Sequence, residues 1–171
     1  GLGFANTSVL HALVKSGVIE RLRAGPGGVP TLAQATGLNA GMLFRTLRFA
    51  AALGVVAQDG EQFRLTDVGR LLLDGEPLSM YQGMMLIGAE PWRNAWANFM
   101  HSLTTGESAF DSVMGANFFD YLGRHPEHGV PFDRWQTDLT TMAARAVADA
   151  YDFSPFATLC DVGGGQGVLL A

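Results

Sequence analysis

A chain of 171 residues with 48% hydrophobic and 16% charged residues has room for one or two domains and enough apolar surface for a packed core, which excludes disorder. Its formal net charge is −5, with Lys15 as the one lysine, so it lacks the basic footprint of bulk nucleic-acid binding. The single cysteine, Cys160, excludes an intrachain disulfide and fits a reducing, cytoplasmic compartment, while no apolar run reaches the roughly 18 residues of a spanning helix.

The first element is predicted over residues 7–23. There Val9, Leu10, Leu13, Val14, Val18, Ile19 and Leu22 recur near helical spacing. The glycine- and proline-rich stretch 24–28 closes it as a loop. Thr31 precedes Gln34 by three residues, a capping-box pattern for a short helix that ends at Gly37. Asn39 is placed to cap a second helix bearing Met42, Leu43, Phe44, Leu47 and Leu53, which stops at Gly54. Residues 55–57 and 62–65 predict two short strands around an Asp59-Gly60 turn, and Thr66 is expected to cap a helix over 67–73. Helix, turn, helix, hairpin and helix together describe a winged helix. Arg45 and Arg48 lie on its second helix, yet residues 29–73 hold only four arginines against three acids. That is a weak charge for a module whose affinity comes from phosphate neutralisation. A dimer interface, or support for another domain, is the expected use.

Residues 78–104 predict two apolar helices. The first carries Met80, Met84, Met85 and Ile87. The second opens at Pro91 and places Trp92, Trp96, Phe99 and Leu103 on one stripe. Such a stripe serves either as core or as the wall of a pocket for a flat organic ligand. Phe118, Phe119, Tyr121 and Leu122 predict a short helix. His125-Pro126-Glu127-His128 is an H-x-x-H whose proline is expected to leave it as a solvated loop, with no metal site. His11 and His101 read as packing residues. A long helix follows over 131–151, with Phe132, Trp135, Leu139, Met142 and Ala146 on one face.

The last stretch carries the chemistry. Residues 158–162 predict a buried strand containing Cys160, followed by a glycine turn and the start of a helix. A dinucleotide fingerprint would need glycine where Val168 stands. The pattern is instead D-x-G-x-G-x-G, from Asp161, Gly163, Gly165 and Gly167. It resembles motif I of the S-adenosylmethionine-dependent methyltransferases with a Rossmann-like fold. A carboxylate at the strand end suits a ligand with an ammonium and a sulfonium better than one with a pyrophosphate. The first strand of a doubly wound sheet is normally central. Its neighbours are therefore expected in a further segment or another chain, and both ends of the sequence look cut.

Other stretches extend the resemblance. Leu43-Phe44-Arg45-Thr46-Leu47-Arg48, Phe63-Arg64-Leu65-Thr66-Asp67-Val68-Gly69, Trp96 with Thr105-Gly106-Glu107-Ser108-Ala109-Phe110, and Tyr121-Leu122 with Pro126-Glu127 are similar to motifs of the small-molecule O-methyltransferases of plants and bacteria. The fold class implied is mainly α: a winged-helix dimerisation domain over 1–90, a helical linker and pocket segment over 91–157, and the first strand of a Rossmann-like S-adenosylmethionine domain from 158. The resemblance implies methyl transfer to a hydroxyl of an aromatic small molecule of polyketide type, without a metal, by a homodimer or with a chain that completes the cofactor domain. Asp161, Gly163, Gly165 and Gly167 would meet the cofactor, Phe132, Trp135 and Gln136 would flank it, and Trp92, Trp96, Phe118 and Phe119 would wall the substrate pocket. No histidine here matches the family's base, so no catalytic residue is assigned. Gln136 stands where the family usually has methionine. Two other readings stay open, a non-methylating enzyme on the same fold and a truncated partner subunit without catalysis.

Overall fold

The computed structural model describes residues 2–170. The N-terminal part runs α1 (Gly3–Lys15), α2 (Val18–Arg21), β1 (Gly27–Gly28), α3 (Val29–Thr36), α4 (Ala40–Ala52), β2 (Val56–Asp59), β3 (Gln62–Leu65) and α5 (Asp67–Arg70). The remainder is helical: α6 (Tyr81–Ile87), α7 (Glu90–Ala97), α8 (Phe99–Thr105), α9 (Ala109–Met114), α10 (Phe118–Arg124) and α11 (Pro126–Ala150), with a single 3₁₀ turn over Val168–Leu170. The fold is therefore mainly helical, with a small antiparallel sheet in the order β1-β3-β2.

The core lies in the N-terminal part. Leu13, Val18, Ile19, Leu47, Val56, Phe63 and Leu73 are all buried there, and Phe63 is fully enclosed. Phe63 is flanked on both sides because β3 is central: it pairs with Gly27 on one side and Gln58 on the other. Met80, Tyr81, Met84 and Met85 of the α6 region pack on the rim of the same cluster.

Local chemistry explains most boundaries. The Asn39 side chain accepts from the Met42 N–H at 3.0 Å and starts α4. Thr66 starts α5, its hydroxyl oxygen accepting from the Gly69 N–H at 3.1 Å. The same hydroxyl lies 2.6 Å from the Gly54 carbonyl and 3.0 Å from that of Val55, so it also ties the hairpin to the cap. Thr66→Ala is expected to cost about 1–2 kcal/mol. That lowers the thermal midpoint by about 2–8 °C for a chain of this size, which calorimetry of the variant would measure.

Several sequence expectations are corrected. The first helix divides at Gly17, which takes a left-handed φ of +79°. Within the expected loop 24–28, Gly27 and Gly28 form β1, which residues without side chains do not announce. Thr31 caps nothing: α3 already begins at Val29 with Pro30 in its first turn. The hairpin turn is Gly60-Glu61, one residue later than expected, because Asp59 still pairs with Gln62. The helix after Thr66 ends at Arg70. The two expected helices over 78–104 are three, and α9 was not foreseen. The H-P-E-H stretch is the start of α11 and no loop, since proline fits a first helical turn where no N–H partner is needed.

The expected strand over 158–162 is absent among the described residues, and Cys160 is exposed. A strand needs a neighbour to satisfy its N–H and C=O groups. The three-stranded sheet of the N-terminal part is not that neighbour.

Candidate ligand site at the glycine turn

The glycine turn and α11 face each other across a cavity of about 560 Å³, within the ordinary range for a small-molecule site. One wall is α11. Phe132, Gln136 and Thr140, with Asp133 and Thr137 beside them, line it at helical spacing. Phe119, Leu122 and Gly123 of α10 form the apolar end. Asp161 and residues 163–166 of the turn form the opposite wall.

The glycines of the turn are used in two different ways. Gly163, Gly165 and Gly167 have φ of +77°, +54° and +75°, the left-handed region that side chains disfavour. Gly164 has no such φ, but a Cβ there would run into the carboxylate of Asp161. The acid is therefore folded against the loop that follows it. The Gly167 N–H closes the turn on the Gly164 carbonyl at 2.8 Å. Ideal Cβ atoms at Gly163 and Gly165 would meet nothing within 4 Å, so bare backbone borders open space there.

Of the residues singled out in the sequence, Asp161, Gly163, Gly165, Phe132, Gln136 and Phe119 line this cavity. Gly167 does not line it and instead closes the turn through its N–H. Gln136 is exposed and borders the cavity. Trp135 points elsewhere. Its indole lies against α6, where a Cβ on Gly83 would come within 2.6 Å of Nε1. That Nε1 is buried and has no hydrogen-bond partner. A buried unpaired N–H carries a desolvation cost of about 1–3 kcal/mol. Trp135→Phe removes that cost along with some packing, so its midpoint is expected to stay within about 4 °C of the parent, a result that thermal unfolding checks.

The aromatic residues expected as a substrate wall separate. Trp92 and Phe118 are packed edge to face with each other at 6.0 Å, and both contact Phe110, at 5.9 and 5.2 Å. They form a small aromatic core among α7, α9 and α10, with the Phe118 ring also 5.2 Å from Phe132. Trp96 is 70% exposed and touches Phe99. Phe119 reaches the cavity, its ring 6.4 Å from Phe132.

Sequence reasoning missed Thr137, Thr140 and Asp133. They are polar residues flanking the apolar stripe used to find the helix, on the side of Phe132, and only the fold shows that this side faces the turn. Gln166 was also missed. It lines this cavity and a neighbouring one of about 410 Å³, bordered by Asp74, Glu76, Asp133 and Asp138. None of the four histidines lines either cavity among the described residues. No group of three or more His, Cys, Asp or Glu is arranged to hold a metal among those residues. No described helix is long and apolar enough to cross a membrane.

Comparison with known proteins places these features. Residues 2–75 match the O-methyltransferase dimerisation domain, and residues 96–171 match the O-methyltransferase domain. The phenazine O-methyltransferase PhzM of Lysobacter antibioticus is 39% identical over 99% of this chain and 50% of its own length. The 3-amino-4-hydroxybenzoate 4-O-methyltransferase of Streptomyces cremeus is 36% identical over 98% of this chain and 46% of its own. Among solved structures, LaPhzM superposes with a TM-score of 0.90 at 39% identity, over 98% of this chain and 51% of the other. The calicheamicin-biosynthesis methyltransferase CalO1, solved in its SAH-bound form, gives 0.83 at 28% identity, over 99% and 51%. The chain thus spans about half the length of the relatives it matches. With both of its matched segments drawn from one kind of enzyme, the chain belongs to the O-methyltransferase family.

Proposed function

We propose that this chain carries the dimerisation unit and part of the cofactor site of an S-adenosylmethionine-dependent O-methyltransferase, and that the acceptor is a hydroxyl on an aromatic natural product. The observation that supports it most is the cavity where Asp161 and the glycine turn face Phe132 and Gln136 of α11. Its residues suit S-adenosylmethionine. Asp161 offers a countercharge for the ammonium, the bare backbone at Gly163 and Gly165 admits the methionyl portion, and Phe119 and Phe132 give apolar surface beside it. When bound, the cofactor supplies an electrophilic methyl on its sulfonium. The chain's task toward it is alignment, and no base is assigned among these residues.

In this reading residues 1–90 are a winged-helix dimerisation domain, 91–157 a helical segment that brings Phe119, Phe132 and Gln136 to the site, and residues from 158 on belong to a Rossmann-like cofactor domain. The dimerisation match and the exposed apolar side chains of Leu2, Phe4, Met42 and Val68 support a homodimer. The aromatic acceptor follows the phenazine and hydroxybenzoate enzymes named above.

The test uses the native polypeptide. Calorimetric titration should show binding of S-adenosylmethionine, and incubation with a panel of phenols should give a product heavier by one methylene unit. Binding without any transfer would overturn the methylating reading in favour of another reaction class on this fold, the direction in which Gln136 in place of methionine points. No binding at all would overturn the cofactor assignment.

A further inference from the structure

α8 buries none of its residues. With the end of α7 it carries Trp96, Phe99, Met100 and Leu103, which are 70%, 46%, 65% and 65% exposed. The Trp96 and Phe99 rings are 5.6 Å apart, so the patch crosses the joint at Asn98. There the Asn98 N–H still bonds back to the carbonyls of Asn94 and Ala95 in α7. Trp96, Met100 and Leu103 follow at spacings of four and three, which keeps them on one side of a helix. The four side chains leave about 500 Å² of apolar surface in water, an amount that marks a binding face on a folded chain.

The rest of the segment is fixed to its own chain. One turn before Trp96, Trp92 is packed on Phe110 and Phe118. On α8, the Ser102 hydroxyl oxygen accepts from the Ala109 N–H at 3.0 Å. The exposed stripe remains on top of this framework.

The charges around the stripe are ordered. From Asn94 to Gly106 the sequence holds no Asp, Glu, Lys or Arg, with Arg93 just before and Glu107 just after. Both are exposed, and the Glu107 carboxylate lies 3.7 Å from His101 Nε2 of its own chain. A segment of this layout matches itself when turned end for end. A two-fold axis at Met100 sets Arg93 of each copy against Glu107 of the other and each Trp96 beside the other's Leu103. A parallel pairing would bring Arg93 to Arg93.

The dimerisation match over residues 2–75 points to a second copy as the occupant, and it ends before α7. We propose that the α7–α8 face is a further part of the contact between two copies, paired antiparallel with Trp96 as its anchor. Two such stripes together remove about 1,000 Å² from water, the size at which an interface becomes specific. An aromatic anchor with charges at the rim is also the usual anatomy of such a contact. The inference rests on the homodimer of the proposed function and leaves the cofactor reading untouched.

The experiment is sedimentation of the native polypeptide over a dilution series, for the parent and its variants. The parent is expected to be a dimer at the concentrated end. Trp96→Glu should raise the dimer dissociation constant at least about a hundredfold, since the change acts twice in the interface. Arg93→Glu sets like charges together and should raise it roughly tenfold, and Glu107→Arg added to it should restore the parent value. A dimer that Trp96→Glu does not weaken overturns the face and keeps the homodimer, whereas a monomeric parent overturns both. Failure of Glu107→Arg to rescue overturns the antiparallel pairing. Should Trp96→Glu fail to fold, as it would if another part of the same polypeptide covered the stripe, a parental dimer of one isotope-labelled and one unlabelled copy decides. Nuclear Overhauser contacts from the labelled Met100 and Leu103 methyls to the unlabelled Trp96 ring are expected, and their absence overturns the face.

Discussion

Gly163→Val is expected to weaken S-adenosylmethionine binding at least about tenfold, with the thermal midpoint of the N-terminal core unmoved. Gly163 has a φ of +77°, which costs an L side chain about 1–2 kcal/mol and a β-branched one more. The strain is relieved only if the turn re-forms, and a re-formed turn moves Asp161 and Gly165 away from α11. Overlap with the protein is not the cause, since a Cβ at Gly163 would meet nothing within 4 Å. The new side chain instead occupies the open space that a ligand would use. None of residues 158–170 is buried, so the core has no stake in the change. Calorimetric titration and thermal unfolding of the variant give both numbers. Parental affinity would remove Gly163 from the cofactor site.

The second large effect falls on the fold. Gly69→Ala is expected to cost about 3 kcal/mol or more, a drop of roughly 6–12 °C in the midpoint. Helix propensity alone argues the reverse, since alanine is better than glycine inside a helix by about 1 kcal/mol. Position decides. A Cβ on Gly69 would overlap the Val55 carbonyl oxygen and sit 3.3 Å from the Leu65 side chain. That carbonyl cannot drift away, because it accepts from the Thr66 N–H at 3.1 Å and lies 3.0 Å from the Thr66 hydroxyl. Gly123→Ala is the matched control. Gly123 is exposed in α10, and a Cβ there would meet nothing within 4 Å. The same added methyl should stabilise by up to about 1 kcal/mol. Calorimetry of the pair separates the clash from the propensity, and equal midpoints would refute this account.

The readability of the sequence depended on how local the controlling interaction was. Asn39 and Thr66 could be placed as caps because a cap is a bond across three residues. The glycine turn could be located because left-handed backbone leaves glycine as the residue of choice. Where a contact crossed the chain, the sequence was silent. β1 is a strand only because Phe63 and Gln62 of β3 lie beside it. Trp135 carries the right residue type for a cofactor wall, yet the bare Cα of Gly83 on α6 gives its indole another place to pack. Residues 158–162 have strand composition, and composition cannot supply the neighbouring strand that would make them one.

The separation between the core and the glycine turn has a kinetic consequence. The large buried side chains of the N-terminal cluster come from residues 13–73, whereas the turn is held by short-range bonds such as Gly167 to Gly164. Opening the turn to solvent therefore costs a small part of the free energy needed to open β3. Amide hydrogens of residues 163–170 should exchange early and those of Phe63 and Leu47 only on global unfolding. A ligand that bridges the turn to α11 would add its own binding energy to the fast-exchanging segment and leave the slow one alone. Protection gained on binding would thus be greatest where the free protein is least protected, and the turn could be selected for its ligand without trading against the stability of the fold.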